Sequence, residues 1–178
     1  MRLRPLHFLV LAVFTALTLP ADERQVSERA VQRIQKEVLH ELRMLPYVTV
    51  FDNLAFKVDG YKVTLLGQVT NPTVKSDAEK AVKGIEGVEE VDNQIEVLPP
   101  SPNDDRLRRA LFRAIYGYGP LQKYDLGVIK PIRIIVNNGH VTLEGVVDSQ
   151  SDKDIAGLRA NGVSGVFSVT NNLRVVKS

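Results

Sequence analysis

Three histidines, no cysteine and a few adjacent carboxylates are all that this 178-residue chain offers to reactive chemistry. His7 stands in an apolar N-terminal run, and His40 and His140 lie in different halves of the chain, so no ligand set has the spacing of a zinc site. Glu89-Glu90 and Asp152/Asp154 are paired carboxylates, but such positions on a strand or near a helix end put both acids on a solvated surface. No nucleophile elbow, phosphate-cradling glycine loop or dinucleotide fingerprint occurs. No residue set supports catalysis, and no metal or cofactor is implied.

The spacing that does suggest chemistry is basic and aromatic. Arg106, Arg109 and Arg113 form one stripe of a predicted helix whose apolar face is Leu107, Ala110, Leu111, Ala114, Ile115 and Tyr118. At about 100° per residue, Phe112 and Tyr116 fall beside that stripe and outside the apolar arc. Exposed aromatics next to arginines suit the headgroup region of an anionic bilayer, so Arg106, Arg109, Phe112, Arg113 and Tyr116 are the candidate lipid-binding residues. Other readings stay open on the sequence alone. The long 117–131 loop can cover the two aromatics, and the arginines can be solvated or pair with an acidic partner or with the acidic first half.

The two halves differ in charge. Residues 22–100 carry 10 basic and 14 acidic side chains, and residues 101–178 carry 11 and 7, so the halves are −4 and +4. The balance over both is zero, which removes the overall basicity that a nucleic-acid reading needs. The excess of the whole chain comes from Arg2 and Arg4, which precede an apolar run from Leu6 to Leu19 and then Pro20-Ala21. This is the pattern of a secretory leader, expected over residues 1–21 with cleavage after Ala21. The run is too short for an ordinary span of about 20 residues. Without cysteine there is neither a lipid attachment site nor a disulfide, so the domains must be stable through their cores.

LPPSPND, residues 98–104, divides the remaining chain in two, because three prolines in four positions cannot continue a strand. The expected layout is a first domain over 22–98, a Pro-rich linker over 99–102 and a second domain over 103–178. An ungapped offset of 78 aligns residues 54–97 with 132–175 and gives 14 identities in 44 positions, most of them glycine or apolar. Each copy predicts a helix, then a strand, a turn at Asp59-Gly60 or Asn138-Gly139, a return strand, a second helix and a last strand. Asn71-Pro72 reads as a cap and first turn, and Asn103 as the cap of the arginine helix. The fold class is therefore α+β: two tandem α-β-β-α-β two-layer sandwiches, each a three-stranded sheet covered by two helices.

Within the repeat, Gly84/Gly162 and Gly87/Gly165 bracket the turn before the last strand, where positive φ is expected. Gly67/Gly145, inside a strand, implies a bulge or the close approach of a helix. Asn93/Asn171 shares a strand face with valines, so its amide must find partners, expected on the backbone of a neighbouring strand or turn.

KVTLLGQV with GIEGVEEVDNQIEV, and HVTLEGVV with NGVSGVFSVTNNLRV, resemble two copies of the BON domain, a module named for bacterial osmotically inducible periplasmic proteins and nodulation-related proteins. The resemblance covers nearly all the chain after the leader, as in OsmY-like proteins. Gly67, Gly87, Asn93, Gly145, Gly165 and Asn171 are its structural motif residues. It implies an envelope protein without catalysis, linked to osmotic or envelope stress, whose partners are phospholipid surfaces or other envelope components. The chain departs from OsmY-like proteins in being arginine-heavy rather than lysine-rich in its second half. The favoured reading is a periplasmic protein making peripheral contact with anionic phospholipid. The alternative is a periplasmic chaperone, assembly factor or interaction module of an envelope complex.

Overall fold

The computed structural model describes residues 21–176, so the expected leader lies outside them but for its last position. Domain 1 consists of α1 (Ala21–Met44), β1 (Asn53–Asp59), β2 (Lys62–Val69), α2 (Pro72–Lys83), β3 (Glu90–Asn93) and β4 (Glu96–Val97). Domain 2 repeats it as α3 (Pro102–Tyr116), β5 (Ile132–Asn137), β6 (His140–Val147), α4 (Gln150–Asn161), β7 (Ser168–Asn171) and β8 (Arg174–Val175), with a 3₁₀ segment at Gly119–Asp125 after α3.

Each hairpin is antiparallel, and the return from α2 or α4 pairs in parallel with the central strand, as a helical crossover permits. β3 and β4 are two parts of one line along β2, pairing at residues 62–65 and then at 68–69. The expected three-stranded sheet thus holds, with its last strand interrupted. Asn93 makes the interruption: its Oδ1 accepts the amide of Ile95 at 3.2 Å, while the amide of Gln94 reaches Leu65 O at 2.9 Å.

Two separate cores result. Ile34, Val38 and Leu42 of α1 and Val74, Ala78 and Val82 of α2 close over Val63, Leu65, Val69 and Ile95. Leu107, Leu111 and Ile115 of α3 and Ala156 and Ala160 of α4 close over Val141, Leu143, Val147 and Leu173. The extra residues of the second copy add to its core, because Leu121 and Tyr124 of the 3₁₀ segment are buried there.

Local chemistry departs from expectation in several places. The cap of α3 is Ser101, whose hydroxyl accepts from Asp104 N at 3.2 Å, and the helix starts at Pro102 within the expected linker. Asn103 instead accepts from Arg106. Asn71 does cap α2, accepting from Thr73 N at 2.9 Å. The first hairpin turns at Gly60-Tyr61, one residue later than expected, with positive φ only at Gly60. The second turns at Asn138-Gly139 with positive φ at both, the pattern of a type I′ turn. Of the glycines that bracket the turn before the last strand, Gly84 and Gly162 are ordinary right-handed caps, and Gly87 and Gly165 have the expected positive φ. At Gly67 (φ +115°) and Gly145 (φ +118°) the close neighbour is a backbone carbonyl at or just before the start of the paired strand, not a helix. A Cβ there would lie 2.0 Å from Asn53 O or 1.9 Å from Pro131 O.

The domains touch through the turn before β1. Asp52 is buried and its carboxylate gathers Thr49 N and Oγ1 at 2.7 Å and Thr70 N at 2.6 Å. That turn presents its carbonyls to the edge of the second sheet: Ile134 N donates to Val50 O and Arg133 to Thr49 O, both at 2.9 Å. Val50 and Phe51 pack against the core of domain 2.

Candidate functional site

The repeated asparagine is a clamp between the last strand and the second helix. Asn93 Nδ2 donates to Lys75 O at 3.0 Å, and Asn171 Nδ2 to Lys153 O at 2.7 Å. The backbone partner is thus a helix carbonyl rather than a neighbouring strand, in addition to the amides of Ile95 and Leu173 in the interruption of the last strand. Asn93 also reaches Glu79 Oε2 at 3.0 Å. Hydrogen bonds from Lys83 and then Asn93 hold that carboxyl below the usual glutamate range. In domain 2 the position of Glu79 is Gly157, where an added Cβ would lie 2.9 Å from the Asn171 amide. The Asn93 amide thus uses both of its N–H donors within the fold, and the Asn171 amide uses one.

The carboxylates divide. Glu90 is exposed and pairs with Lys62 at 2.6 Å, as a solvated surface acid. Asp152 corrects the expectation for the Asp152/Asp154 pair, because it is buried. It accepts from Lys123 Nζ at 2.9 Å and from Tyr124 OH and Ser149 Oγ at 2.8 Å. Burial alone would raise its pKa, but the donors from Lys123, Ser149 and Tyr124 outweigh this and hold it below the usual aspartate range. Asp152 therefore locks the 3₁₀ segment to the start of α4. Asp104 is also buried, and its two oxygens take Asn138 N at 2.8 Å and Gly139 N at 2.9 Å, tying α3 to the second hairpin. Among the described residues no cluster of three metal-ligating side chains occurs, and no helix is long and apolar enough to cross a membrane.

The arginine helix keeps part of the expected site and loses part. Arg106, Arg109 and Arg113 are exposed, and among the described residues none of them forms an ion pair. Tyr116 is the correction: it is only 2% exposed. Its hydroxyl donates to Ile132 O at 2.6 Å and accepts from Ile132 N at 3.1 Å. Desolvation raises its pKa far above the usual tyrosine value. A phenol so enclosed cannot meet a membrane. Phe112 is half-buried, packed on the domain 2 core and 5.0 Å from the Tyr116 ring. Tyr118, expected in the apolar arc, lies beyond the helix end and is half-exposed beneath the Arg159 guanidinium. Arg108, which lies outside the stripe, turns inward, donating to Val136 O at 2.7 Å and pairing with Asp105 at 2.6 Å.

Comparing the domains shows what stands next to the arginines. Gly87 lies against Arg33 and Ile34, and Gly165 against Arg106 and Leu107, so Arg33 and Arg106 are equivalent. Lys36 then corresponds to Arg109 and His40 to Arg113. In domain 1 a groove between α1 and α2 is lined by Lys36, Glu37, His40, Glu41, Asp77 and Lys80. Their counterparts in domain 2 are Arg109, Ala110, Arg113, Ala114, Ile155 and Leu158. Arg33 and Lys36 of the first helix recur as Arg106 and Arg109, His40 becomes Arg113, all three acids become apolar, and Lys80 becomes Leu158, which is 71% exposed. Arg159 Nε, donating to Ala114 O at 3.0 Å, holds the two helices of this face together. The result is a cationic rim around an apolar strip, an amphiphilic surface.

The fold defines the class: a duplicated α+β module whose repeated residues serve its own architecture. The chain belongs to the BON domain family, which residues 30–99 and 103–177 each match. It is 30% identical over 133 residues to the osmotically-inducible protein Y of Escherichia coli, covering 68% of this chain and 61% of that one. It is 34% identical over 113 residues to the outer membrane lipoprotein DolP of Haemophilus influenzae, covering 61% and 55%. This chain thus spans about three fifths of the length of these relatives. Among solved structures, the C-terminal domain of CdsD, a structural protein of the type III secretion system of Chlamydia trachomatis, aligns over 79% of this chain and 96% of that one. There the identity is 12% and the TM-score 0.33.

Proposed function

We propose that this protein is exported to a bacterial envelope, where it acts by binding and makes peripheral contact with anionic phospholipid through the α3–α4 face of domain 2. The observation that carries the reading is the exchange of Glu37, Glu41 and Asp77 for Ala110, Ala114 and Ile155 while the first helix keeps a basic side chain at the places of Arg33 and Lys36 and gains Arg113 at that of His40. Arg106, Arg109 and Arg113 supply the charge, and Leu158 takes the apolar place assigned on sequence to Tyr116. The names of the relatives, an outer membrane lipoprotein and an osmotically inducible protein, support envelope placement and a link to osmotic stress.

Flotation with vesicles tests it. Recovery should be high on vesicles containing phosphatidylglycerol, low on phosphatidylcholine alone, and reduced by salt because surface charge is screened. Arg109→Glu/Arg113→Glu should abolish it without lowering the melting temperature. Equal recovery on neutral and anionic vesicles would sink the proposal. Suppression of client aggregation that survives both substitutions would favour the chaperone reading.

A further inference from the structure

The outer edges of the two hairpins are unlike. In an antiparallel pair every second residue turns its backbone N–H and C=O away from the partner strand. On β5 these residues are Ile132 and Ile134, and both are served from within the chain. The Tyr116 hydroxyl takes both backbone groups of Ile132, and Val50 O accepts from Ile134 N at 2.9 Å. The same places on β1 belong to Leu54 and Phe56, since Phe56 faces Leu65 as Ile134 faces Leu143. Neither of their amides has an acceptor among the described residues. The repeat gives the reason. Arg43 stands where Tyr116 does, and Val128-Ile129, the counterpart of Val50-Phe51, does not close on the edge.

Between the open edge and that segment lies a groove of about 630 Å³, within the usual size of a ligand cleft. Leu39, Leu45, Leu54 and Phe56 line it from domain 1, and Val128 and Ile129 from domain 2. Val128 is fully exposed and Ile129 half-exposed. Lys130 braces the segment, pairing with Asp125 at 2.7 Å and donating to Gly127 O at 3.0 Å. Arg43, Lys130 and Arg133 make the groove cationic. The one acid among its lining residues is Asp52, which is buried with both oxygens bonded to Thr49 and Thr70. Neither Arg43 nor Arg133 forms an ion pair among the described residues.

We infer that this groove takes an extended segment of another protein, with apolar side chains and a carboxylate, which adds as a strand to the edge of β1. The unmet backbone groups decide the class of ligand. Those of Leu54 and Phe56 are two residues apart, about 7 Å along a strand, and a polypeptide presents its own carbonyls and amides at that repeat. An acyl chain has no groups to meet them. The filled edge shows which side chains suit the place, because Val50 and Phe51 beside β5 pack on the core of domain 2. The unpaired guanidinium groups complement a carboxylate. Arg106, Arg109, Arg113 and Leu158 do not line the groove, so this site and the proposed lipid face stand or fall separately.

Fluorescence anisotropy tests this, with the full chain and a labelled peptide Val-Thr-Val-Phe-Asp, the sequence of residues 48–52. Binding should be saturable and one-to-one. At saturation, hydrogen exchange should slow several-fold at Leu54 and Phe56 and stay unchanged at Ile132 and Ile134. Val128→Asp/Ile129→Asp should weaken the peptide roughly tenfold, and Arg43→Glu roughly threefold. All three side chains are exposed, so the melting temperature should hold in both variants. A peptide with prolines as its second and third residues should not bind, because an N–H is then lost from either side of the strand. No saturable binding, unchanged exchange at Leu54 and Phe56, or wild-type affinity in either variant overturns the inference. If sodium laurate binds one-to-one and the peptide does not, the groove takes an acyl chain and the inference falls. Protection of Leu54 and Phe56 that rises with protein concentration alone would make the occupant a second copy, and overturns it too.

Discussion

The central hairpins of the two domains share their strand register residue for residue, yet their helix faces are chemically unlike. Val63, Leu65, Gly67 and Val69 recur as Val141, Leu143, Gly145 and Val147, and they bury the same way. The helix pair above them carries Glu37, Glu41 and Asp77 in one copy and Ala110, Ala114 and Ile155 in the other. Positions under packing constraint have stayed, and positions facing solvent have diverged in charge and polarity. The shared residues describe how the module folds, and the substituted ones are where the proposed difference in binding between the copies lies.

The comparison is broken most severely at its common framework. Gly145→Ala should cost about 3 kcal/mol or more in domain 2, because the new methyl would overlap Pro131 O and the residue would keep a φ of +118°. Gly67→Ala should cost a similar amount in domain 1, as read from separate denaturant transitions of the two domains. A smaller effect should follow Asp104→Ala, roughly 1–3 kcal/mol, because two hairpin amides lose their acceptor. Hydrogen exchange should speed up at Asn138 and Gly139 and stay unchanged in the hairpin of domain 1.

Asn93→Ala and Asn171→Ala should each cost about 1 kcal/mol. The first should in addition let the Glu79 carboxyl rise toward its ordinary pKa, visible by NMR titration, since one of its two donors is gone. The smallest effect concerns pH. Asp152 has a lowered pKa in the folded state, so its contribution is present above the unfolded value of about 3.9 and lost as pH falls through that value and below. Domain 2 should therefore weaken in acid through this group, for which domain 1 has Val74 at the equivalent position. Asp152→Asn should shrink the loss of domain 2 stability between pH 6 and pH 3 melts.

Element order, hairpins and the asparagine clamp were legible because they rest on local periodicity and on a repeat that marks equivalent positions twice. Tyr116 was misplaced for a tertiary reason. A helical wheel places it off the apolar arc, but the inserted 3₁₀ segment enlarges the core, and Ile132 offers both an acceptor and a donor to its hydroxyl. Asp152 looked solvated because its donors, Lys123 and Tyr124, come from that same insertion, far away in sequence. Leu158 is legible in the sequence, opposite Lys80 in the ungapped alignment. The correspondence of Ala110 and Ala114 to Glu37 and Glu41 is not, because the first helices align only after the longer loop of domain 2 is allowed for.

The most direct test of the division between the domains is a paired flotation experiment on vesicles containing phosphatidylglycerol, with the full chain carrying either Lys36→Glu/His40→Glu or Arg109→Glu/Arg113→Glu. Both pairs change the same two places on equivalent helices. Loss of binding in the domain 2 variant alone, with both variants folded, is the expected result. Equal loss in both, or retention in the domain 2 variant, would contradict it.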